Sequence, residues 1–189
     1  MGSQAQIKGG ILKSRLEFVR QKRANALEEV LARLPDADQK TLRGMLLAVS
    51  WYPFELCKRL DHAIAEVLSP GDFRRVFIDM GRASADTNLT GVHKAFVRVG
   101  DPQYILSYAP QIYSQYYDKG NRTYEQTSET SGVIKTFGAQ DVTVNDCLTV
   151  VGWHHRAIEI CGGREVIVNE TMCCAAQGTH CEYVCEWKM

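Results

Sequence analysis

The sequence lacks a net charge, long apolar runs and the usual export signals. Lys and Arg together number 22, as do Asp and Glu, so no overall positive field attracts nucleic acid. No stretch approaches the roughly 20 uncharged apolar residues that cross a bilayer, and no apolar secretory core follows the first residues. We therefore expect a cytoplasmic protein with no nucleic-acid partner and no membrane span.

The motifs of common enzymes are missing as well. The sequence has no Gly-rich phosphate loop, no pair of histidines at zinc-protease spacing and no Ser/His/Asp series. His154 and His155 come nearest to an acid/base or haem site, but a hydrogen-bonded core histidine is the commoner role for His154, and we expect His155 to be exposed. The sequence therefore predicts no catalytic residues and a protein that is not an enzyme.

The composition is that of an ordinary globular chain. Its 189 residues are 45% hydrophobic and 23% charged, which suits one domain with one core. We predict a single domain over 1–189, in which 1–120 is mainly helical and 121–189 forms a β-hairpin, a helix and a second β-hairpin. The fold class is α+β, with helices packed against an antiparallel β-sheet.

Local patterns place the main elements. Apolar residues at three- and four-residue spacing predict helices over 13–34, 54–68 and 146–160, with Asn145 as the cap of the last one. Thr, Tyr, Val and Ile enrichment predicts two strands within 121–138, and two more strands follow at 164–171 and 180–188. In the final strand, alternation places Cys181, Tyr183, Cys185 and Trp187 on the buried face.

Cysteines gather at the C-terminal end. The chain has seven, and six lie in the last 43 residues, where a reducing compartment would keep the thiols free. Cys147 falls in the first turn of a helix, Glu170 ends a strand, and the next connector brings Cys173 and Cys181 back toward that strand end. Three sulfurs and one carboxylate suit a closed, tetrahedral zinc site, whereas the plainer alternative is a set of buried core cysteines.

Other residues near these four could also be ligands of the proposed zinc site. Cys174, Cys185 and His180 could exchange with the proposed ligands, although Cys185 is more simply a core residue. The spacing of these residues does not decide between the alternatives.

The segment Cys147…Glu170-Thr-Met-Cys173…Cys181 resembles the 4-vinyl reductase domain, including its form in phenol-sensing transcriptional activators. Trp51-Tyr52-Pro53, Asp101-Pro102 and the closing Gly178…Trp187 are similar to a myxobacterial paralogous family of uncharacterised proteins. The resemblance implies zinc as cofactor, with Cys147, Glu170, Cys173 and Cys181 as ligands. It also implies a fold like that of vesicle-tethering complex subunits, often dimeric, with an apolar ligand pocket.

Aromatic residues supply candidates for that pocket. Tyr104, Tyr108, Tyr113 and Trp153 could line a cavity for a small apolar or aromatic ligand, with core packing as the alternative. The function expected from the resemblance is a zinc-stabilised sensor that binds a small molecule. The alternatives are a structural or protein-interaction module that forms a homodimer and, ranked lower, a tetrapyrrole vinyl reductase.

Overall fold

The computed structural model describes residues 4–189, so the first three residues of the predicted helical segment 1–120 lie outside the described residues. Eight α-helices form, most of them in the first two thirds of the chain: α1 (Gly9–Lys22), α2 (Ala26–Leu31), α3 (Asp36–Arg43), α4 (Phe54–Leu68), α5 (Phe73–Thr90), α6 (Pro102–Ser107), α7 (Ala109–Tyr116) and α8 (Val144–Ile160). Two short 3-10 segments, Lys94–Phe96 and Cys174–Ala176, lie in connections.

The strands make two antiparallel sheets. They are β1 (Gln6–Lys8), β2 (Trp51–Pro53), β3 (Asn121–Ser128), β4 (Ser131–Phe137), β5 (Arg164–Met172) and β6 (Cys181–Lys188). The first two pair with each other, and the other four form a sheet in the order β3-β4-β6-β5. This confirms the predicted mixture of helices with an antiparallel sheet.

The long helix predicted over 13–34 is interrupted. After α1, Arg23 is extended, with φ of −157°, and the chain turns before α2 starts at Ala26. Both helices place their apolar residues in the same core, including Leu16 and Val30. The helical periodicity therefore continues across a break that the apolar pattern alone does not reveal.

Helices α5 and α8 pack closely because each has a glycine at the contact. A methyl group built on Gly81 would collide with the carbonyl oxygen of Thr149, and one built on Gly152 would collide with that of Ile78. Only residues without a Cβ allow the two backbones to approach so closely. This contact fixes the position of Trp153 and His154, which follow Gly152 directly.

The core continues under the four-stranded sheet. Along β6, Cys181, Tyr183, Cys185 and Trp187 are buried, as the alternation predicts. Tyr183 pairs with Ile134 of β4 on one side and with Glu170 of β5 on the other. Among residues 4–189, no helix is both long and apolar enough to cross a membrane.

Candidate functional site

Helix α8 carries Cys147 and His154, and its start is fixed by a capping box. Thr143, not the predicted Asn145, is the cap: its hydroxyl accepts a hydrogen bond from the Asp146 amide, and the Asp146 carboxylate accepts one from the Thr143 amide. Thr143 can cap the helix because it directly precedes the first helical residue, Val144, whereas Asn145 already lies inside the first turn. Cys147 and His154 then lie on the buried side of the helix.

A cavity of about 70 Å³ lies between α1, α5, α7 and α8. We call it the central cavity. A second cavity of about 40 Å³ adjoins it and extends toward Cys147 and Cys181. Both are lined by Ile11, Arg15, Tyr113, Tyr117, Arg122, Thr149 and Val150. The two spaces are therefore neighbouring parts of one internal region.

His154 lines the central cavity and has an unpartnered ring nitrogen. The residue is 1% exposed, and its Nδ1 lies 2.9 Å from the carbonyl oxygen of Val150. That contact makes Nδ1 the protonated nitrogen and leaves a lone pair on Nε2. Nε2 is buried and has no hydrogen-bond partner.

The charge of this imidazole is set by its surroundings. Burial, reinforced by the nearby positive charge of Arg122, lowers the pKa of His154 to about 3. The ring is therefore neutral at physiological pH, and Nε2 can accept a hydrogen bond but cannot donate one.

On the opposite wall, the polar groups already have partners. Arg15 Nε donates to Asp61 Oδ1 at 2.9 Å, and Arg15 Nη1 donates to the Ser84 hydroxyl at 2.7 Å. The hydroxyls of Ser84 and Ser14 are 2.7 Å apart. Burial raises the pKa of Asp61 to about 6, although the charge of Arg15 opposes that rise. This wall thus holds a completed ion-pair network.

The four aromatic pocket candidates separate into two pairs. Tyr113 and Trp153 line the central cavity. Tyr104 and Tyr108 instead pack with each other, their hydroxyl oxygens 3.3 Å apart, and Tyr108 stacks on Phe96 at 4.4 Å between ring centroids. They are not among the residues that line either cavity.

The structure brings the four proposed metal ligands together. One donor atom each from Cys147, Glu170, Cys173 and Cys181 lies within 4.8 Å of the other three. The Cys147 sulfur is 3.6 Å from that of Cys173 and 3.7 Å from that of Cys181. The hydrogen bond from Cys147 lowers the pKa of Cys181 to about 5.

Cys174, Cys185 and His180, which the sequence leaves as alternative ligands, differ in position. The Cys174 sulfur lies 3.1 Å from that of Cys181, so it adjoins the cluster. Cys185 is fully buried in β6, between Gly132 and Val168 of the neighbouring strands. The His180 ring stacks on Phe137, with its Nδ1 2.9 Å from the Thr179 hydroxyl.

Sequence reasoning did not identify the central cavity. Arg15, Ser84 and Arg122 are far apart in the chain, and none belongs to a recognisable motif. The helical stripe placed His154 in the core, yet the pattern carries no information about the unpartnered Nε2.

No family model and no curated protein matches this sequence. Solved structures of H-NOX proteins do match its fold. An H-NOX protein from S. oneidensis in the Fe(II)NO ligation state is 12% identical, with 96% of this chain and 99% of that one covered and a TM-score of 0.72. The Fe(II) unliganded H-NOX protein from K. algicida is 11% identical, with 96% and 97% covered and a TM-score of 0.71.

A third structure comes from work on haem distortion in the H-NOX family; it is 11% identical, with 96% of this chain and 95% of that chain covered and a TM-score of 0.71. At these identities the likeness shows the fold alone. The chain therefore has an H-NOX-like fold.

The comparison corrects two expectations and leaves a third unconfirmed. The assignment to the 4-vinyl reductase domain is wrong, because structures of H-NOX proteins match nearly the whole chain. The vesicle-tethering-subunit label is not confirmed. The zinc cofactor is corrected along with the family on which it depended, since the matched structures are described by Fe(II) and haem. The physical reason is that four donor spacings near one end of a chain do not determine its whole architecture.

Proposed function

We propose that this chain is a small-molecule-binding sensor module and that its ligand occupies the central cavity. The observation that carries the proposal is that His154 lines the cavity and that its buried Nε2 has no hydrogen-bond partner. A buried polar atom left unpaired costs about 1–3 kcal/mol. A ligand that donates a hydrogen bond to Nε2 would remove that cost on binding.

The chemistry of the walls defines the ligand class. Ile11, Ile112 and Trp153 supply apolar contact, while Nε2 of His154 accepts and the Arg122 guanidinium donates. A hydroxyl group can serve both, because it gives its proton to the imidazole and offers its oxygen to the guanidinium. The ligand is thus a compact hydroxyl-bearing molecule, no larger than a single ring.

The size of the cavities supports a compact ligand. An engineered apolar cavity of about 150 Å³ binds benzene, and the central cavity, at about 70 Å³, is smaller than that. Even with the adjoining space of about 40 Å³ the volume stays below that of the engineered cavity, so a single ring is the upper limit and requires lining side chains to shift. Larger ligands would force side chains out of their packed positions.

A binding role is favoured over catalysis by the state of the polar groups. Ser14, Ser84 and Arg15 are committed to one another and to Asp61. His154 remains neutral down to a pH near its pKa of about 3, so it is a poor proton carrier at neutral pH. The site is equipped to hold a ligand rather than to activate one.

The matched H-NOX structures raise haem as a candidate ligand, and the central cavity does not fit it. Sites for molecules of that size span roughly 300–1,000 Å³, far more than the central cavity. His93, also buried, has its Nε2 3.1 Å from the Tyr116 hydroxyl and its ring stacked on Phe96. We therefore expect haemin not to compete with phenol for the central cavity.

Phenol and benzene make a matched pair of probes, because they differ only in the hydroxyl. Titration calorimetry should show phenol binding the full chain about 10-fold more tightly than benzene, equivalent to about 1.4 kcal/mol. His154→Phe should remove that preference, whereas His62→Phe, at an exposed position, should retain it. Equal affinity of the two probes, or no binding of either, would refute the proposal.

A separate proposal concerns the cysteine cluster. Cys147, Glu170, Cys173 and Cys181 are proposed as the ligands of a metal ion. Glu170 supports this, because its buried Oε1 has no hydrogen-bond partner, and such atoms indicate an absent ion or water. Three sulfurs and one carboxylate favour a thiophilic divalent ion.

Cadmium is the probe for this cluster, because its bonds to thiolates give an ultraviolet charge-transfer band. One equivalent should saturate the band in the reduced protein. Cys173→Ser should weaken the band, and Cys161→Ala, which changes a buried cysteine outside the cluster, should not. A band that survives Cys173→Ser and Cys181→Ser would remove both residues from the site.

The predicted homodimer stays a separate prediction, which sedimentation of the full chain tests.

A further inference from the structure

A wide groove lies along α1. It is bounded by α1, α2, α3 and the segments 43–49 and 91–96, and its volume is about 1400 Å³. We call it the N-terminal groove. Its apolar lining includes Leu16, Leu27, Leu31, Leu46 and Phe96. It is much larger than the central cavity and is open to solvent.

Exposed apolar side chains continue the lining up to the rim. Met45 is 87% exposed, Val49 79% and Val92 78%, and all three line the groove. Single exposed apolar residues are common, but a contiguous set around a concavity is typical of an interaction surface. The groove therefore offers apolar area that the described part of the chain leaves uncovered.

The charges at the rim are unbalanced. Lys8, Lys13, Arg20 and Arg43 line the groove with two acids, Glu17 and Glu28. Both acids are already paired, Glu17 with Arg20 at 3.6 Å and Glu28 with Arg43 at 2.7 Å. Two positive charges remain, those of Lys8 and Lys13, and among the described residues neither ammonium forms an ion pair. Lys8 Nζ donates to the Val49 carbonyl oxygen at 2.7 Å and lies 3.8 Å from the Trp51 ring centroid, and neither contact neutralises its charge. A complementary partner is acidic.

The shape of the groove selects the form of that partner. Apart from Lys8 at the end of β1, its walls are helices and loops, and none of the strands β3–β6 lines it, so an added strand would find no edge of the four-stranded sheet to pair with. The 14 residues of α1 make about four turns, which matches the length over which an amphipathic helix places its apolar anchors in a groove.

We propose that the N-terminal groove docks an acidic amphipathic helix of a partner protein. The apolar face of that helix covers the leucines of the groove and the Met45–Val49 rim. Its carboxylates lie over Lys8 and Lys13. This inference goes beyond ligand binding in the central cavity and does not depend on it.

Two synthetic helical peptides of about four turns test the proposal. Both carry the same leucine stripe, and one has glutamates where the other has lysines. Fluorescence anisotropy with the full chain should show the glutamate peptide binding at least about 10-fold more tightly, with an affinity that falls as salt rises. Lys13→Glu should bring the two peptides to within about 3-fold of each other, and Lys188→Glu, at a distant exposed lysine, should leave the preference unchanged.

The apolar contact between the peptide and the groove is tested by substitution of an exposed residue, because such a change does not disturb the folded core. Met45→Ser should weaken both peptides about equally, because it removes apolar contact without changing charge. Binding of neither peptide, or equal binding of the two by the unmodified chain, would overturn the proposal. A chain dimer in sedimentation that Met45→Ser dissociates would also overturn it, because a second copy would then occupy the groove.

Discussion

The helical region, residues 4–120, and the sheet region, residues 121–189, treat buried polar groups differently. In the helical region Arg15 is 4% exposed and Asp61 1%, and both are held in hydrogen bonds that include Ser84. In the sheet region four buried side-chain atoms have no hydrogen-bond partner, the full set found among the described residues. They are His154 Nε2, Glu170 Oε1, His180 Nε2 and Trp187 Nε1.

This difference separates structural polar groups from candidate functional ones. Folded proteins satisfy nearly all of their buried polar atoms, so each exception needs an explanation. His154 adjoins a cavity and Glu170 adjoins three thiols, so both stand where a ligand or an ion can supply the partner. The completed network of Arg15 needs nothing further. We therefore expect changes in the helical region to alter stability and changes at His154 to alter binding.

The largest effect is expected from breaking the buried ion pair. Arg15→Met leaves Asp61 as an unpaired buried carboxylate, which costs about 3–5 kcal/mol of unfolding free energy. Chemical denaturation at neutral pH measures this loss. The double change Arg15→Met/Asp61→Leu should recover most of it, because both charges are then gone. If the single change costs less than about 1 kcal/mol, the network does not hold the helical region together.

His154 should make the protein sensitive to acid. Its pKa in the folded protein is about 3, below the ordinary value near 6.5, so the stability it contributes is present above pH 6.5 and is lost as pH falls toward 3. At about 1.4 kcal/mol per unit, the loss reaches about 3 kcal/mol at pH 4. Denaturation of His154→Gln across this range should show a shallower decline, while His62→Gln should follow the unmodified chain.

Asp61 contributes with the opposite sign. Its folded pKa of about 6 exceeds the ordinary carboxyl value near 4, so its stability is fully present below pH 4 and is lost as pH rises through 6. Between pH 4 and 6 the effects of His154 and Asp61 on the free energy of unfolding partly cancel.

An unchanged acid profile in His154→Gln would mean that the imidazole is not buried as a neutral group.

The contact between α5 and α8 joins the two regions, and adding one carbon atom should weaken it. Gly152→Ala places a methyl group against the carbonyl of Ile78, and overpacking of this kind costs about 1–3 kcal/mol. Thermal unfolding measures the effect. Gly10→Ala, in a helix with its nearest atoms 3.5 Å from the added carbon, is the control and should not destabilise. Equal melting of the two variants would show that α8 can move away without cost.

Much of the local structure could be predicted from sequence. Helix α4 spans the predicted 54–68, and the alternation in β6 gave the correct buried face. Such patterns depend on neighbours within a few residues. The break at Arg23 escaped notice because α1 and α2 bury their apolar residues in one core, which is a property of tertiary packing.

The sites divide in the same way. Cys147, Glu170, Cys173 and Cys181 lie within one short stretch, and the strand and helix spacing was enough to suggest that they meet. The family inferred from them was wrong, because that stretch leaves the arrangement of the helical region undetermined. The central cavity joins Arg15, Ser84 and His154 from three helices, and no local pattern encodes such a meeting.

The smallest effect is the most informative about a sensor, and it depends on both the cavity and the groove proposals. Ser14, Asn88 and Tyr116 line the central cavity and also the N-terminal groove, so α1, α5 and α7 form the wall between them. A ligand that shifts this wall should change the affinity of the acidic peptide about 5-fold, a coupling of about 1 kcal/mol. Anisotropy titrations with and without saturating phenol measure it, and the peptide should change phenol affinity by the same factor. His154→Phe should abolish the coupling while peptide binding itself remains. If phenol and peptide each bind yet neither alters the other, the cavity and the groove are independent sites and the wall between them is rigid.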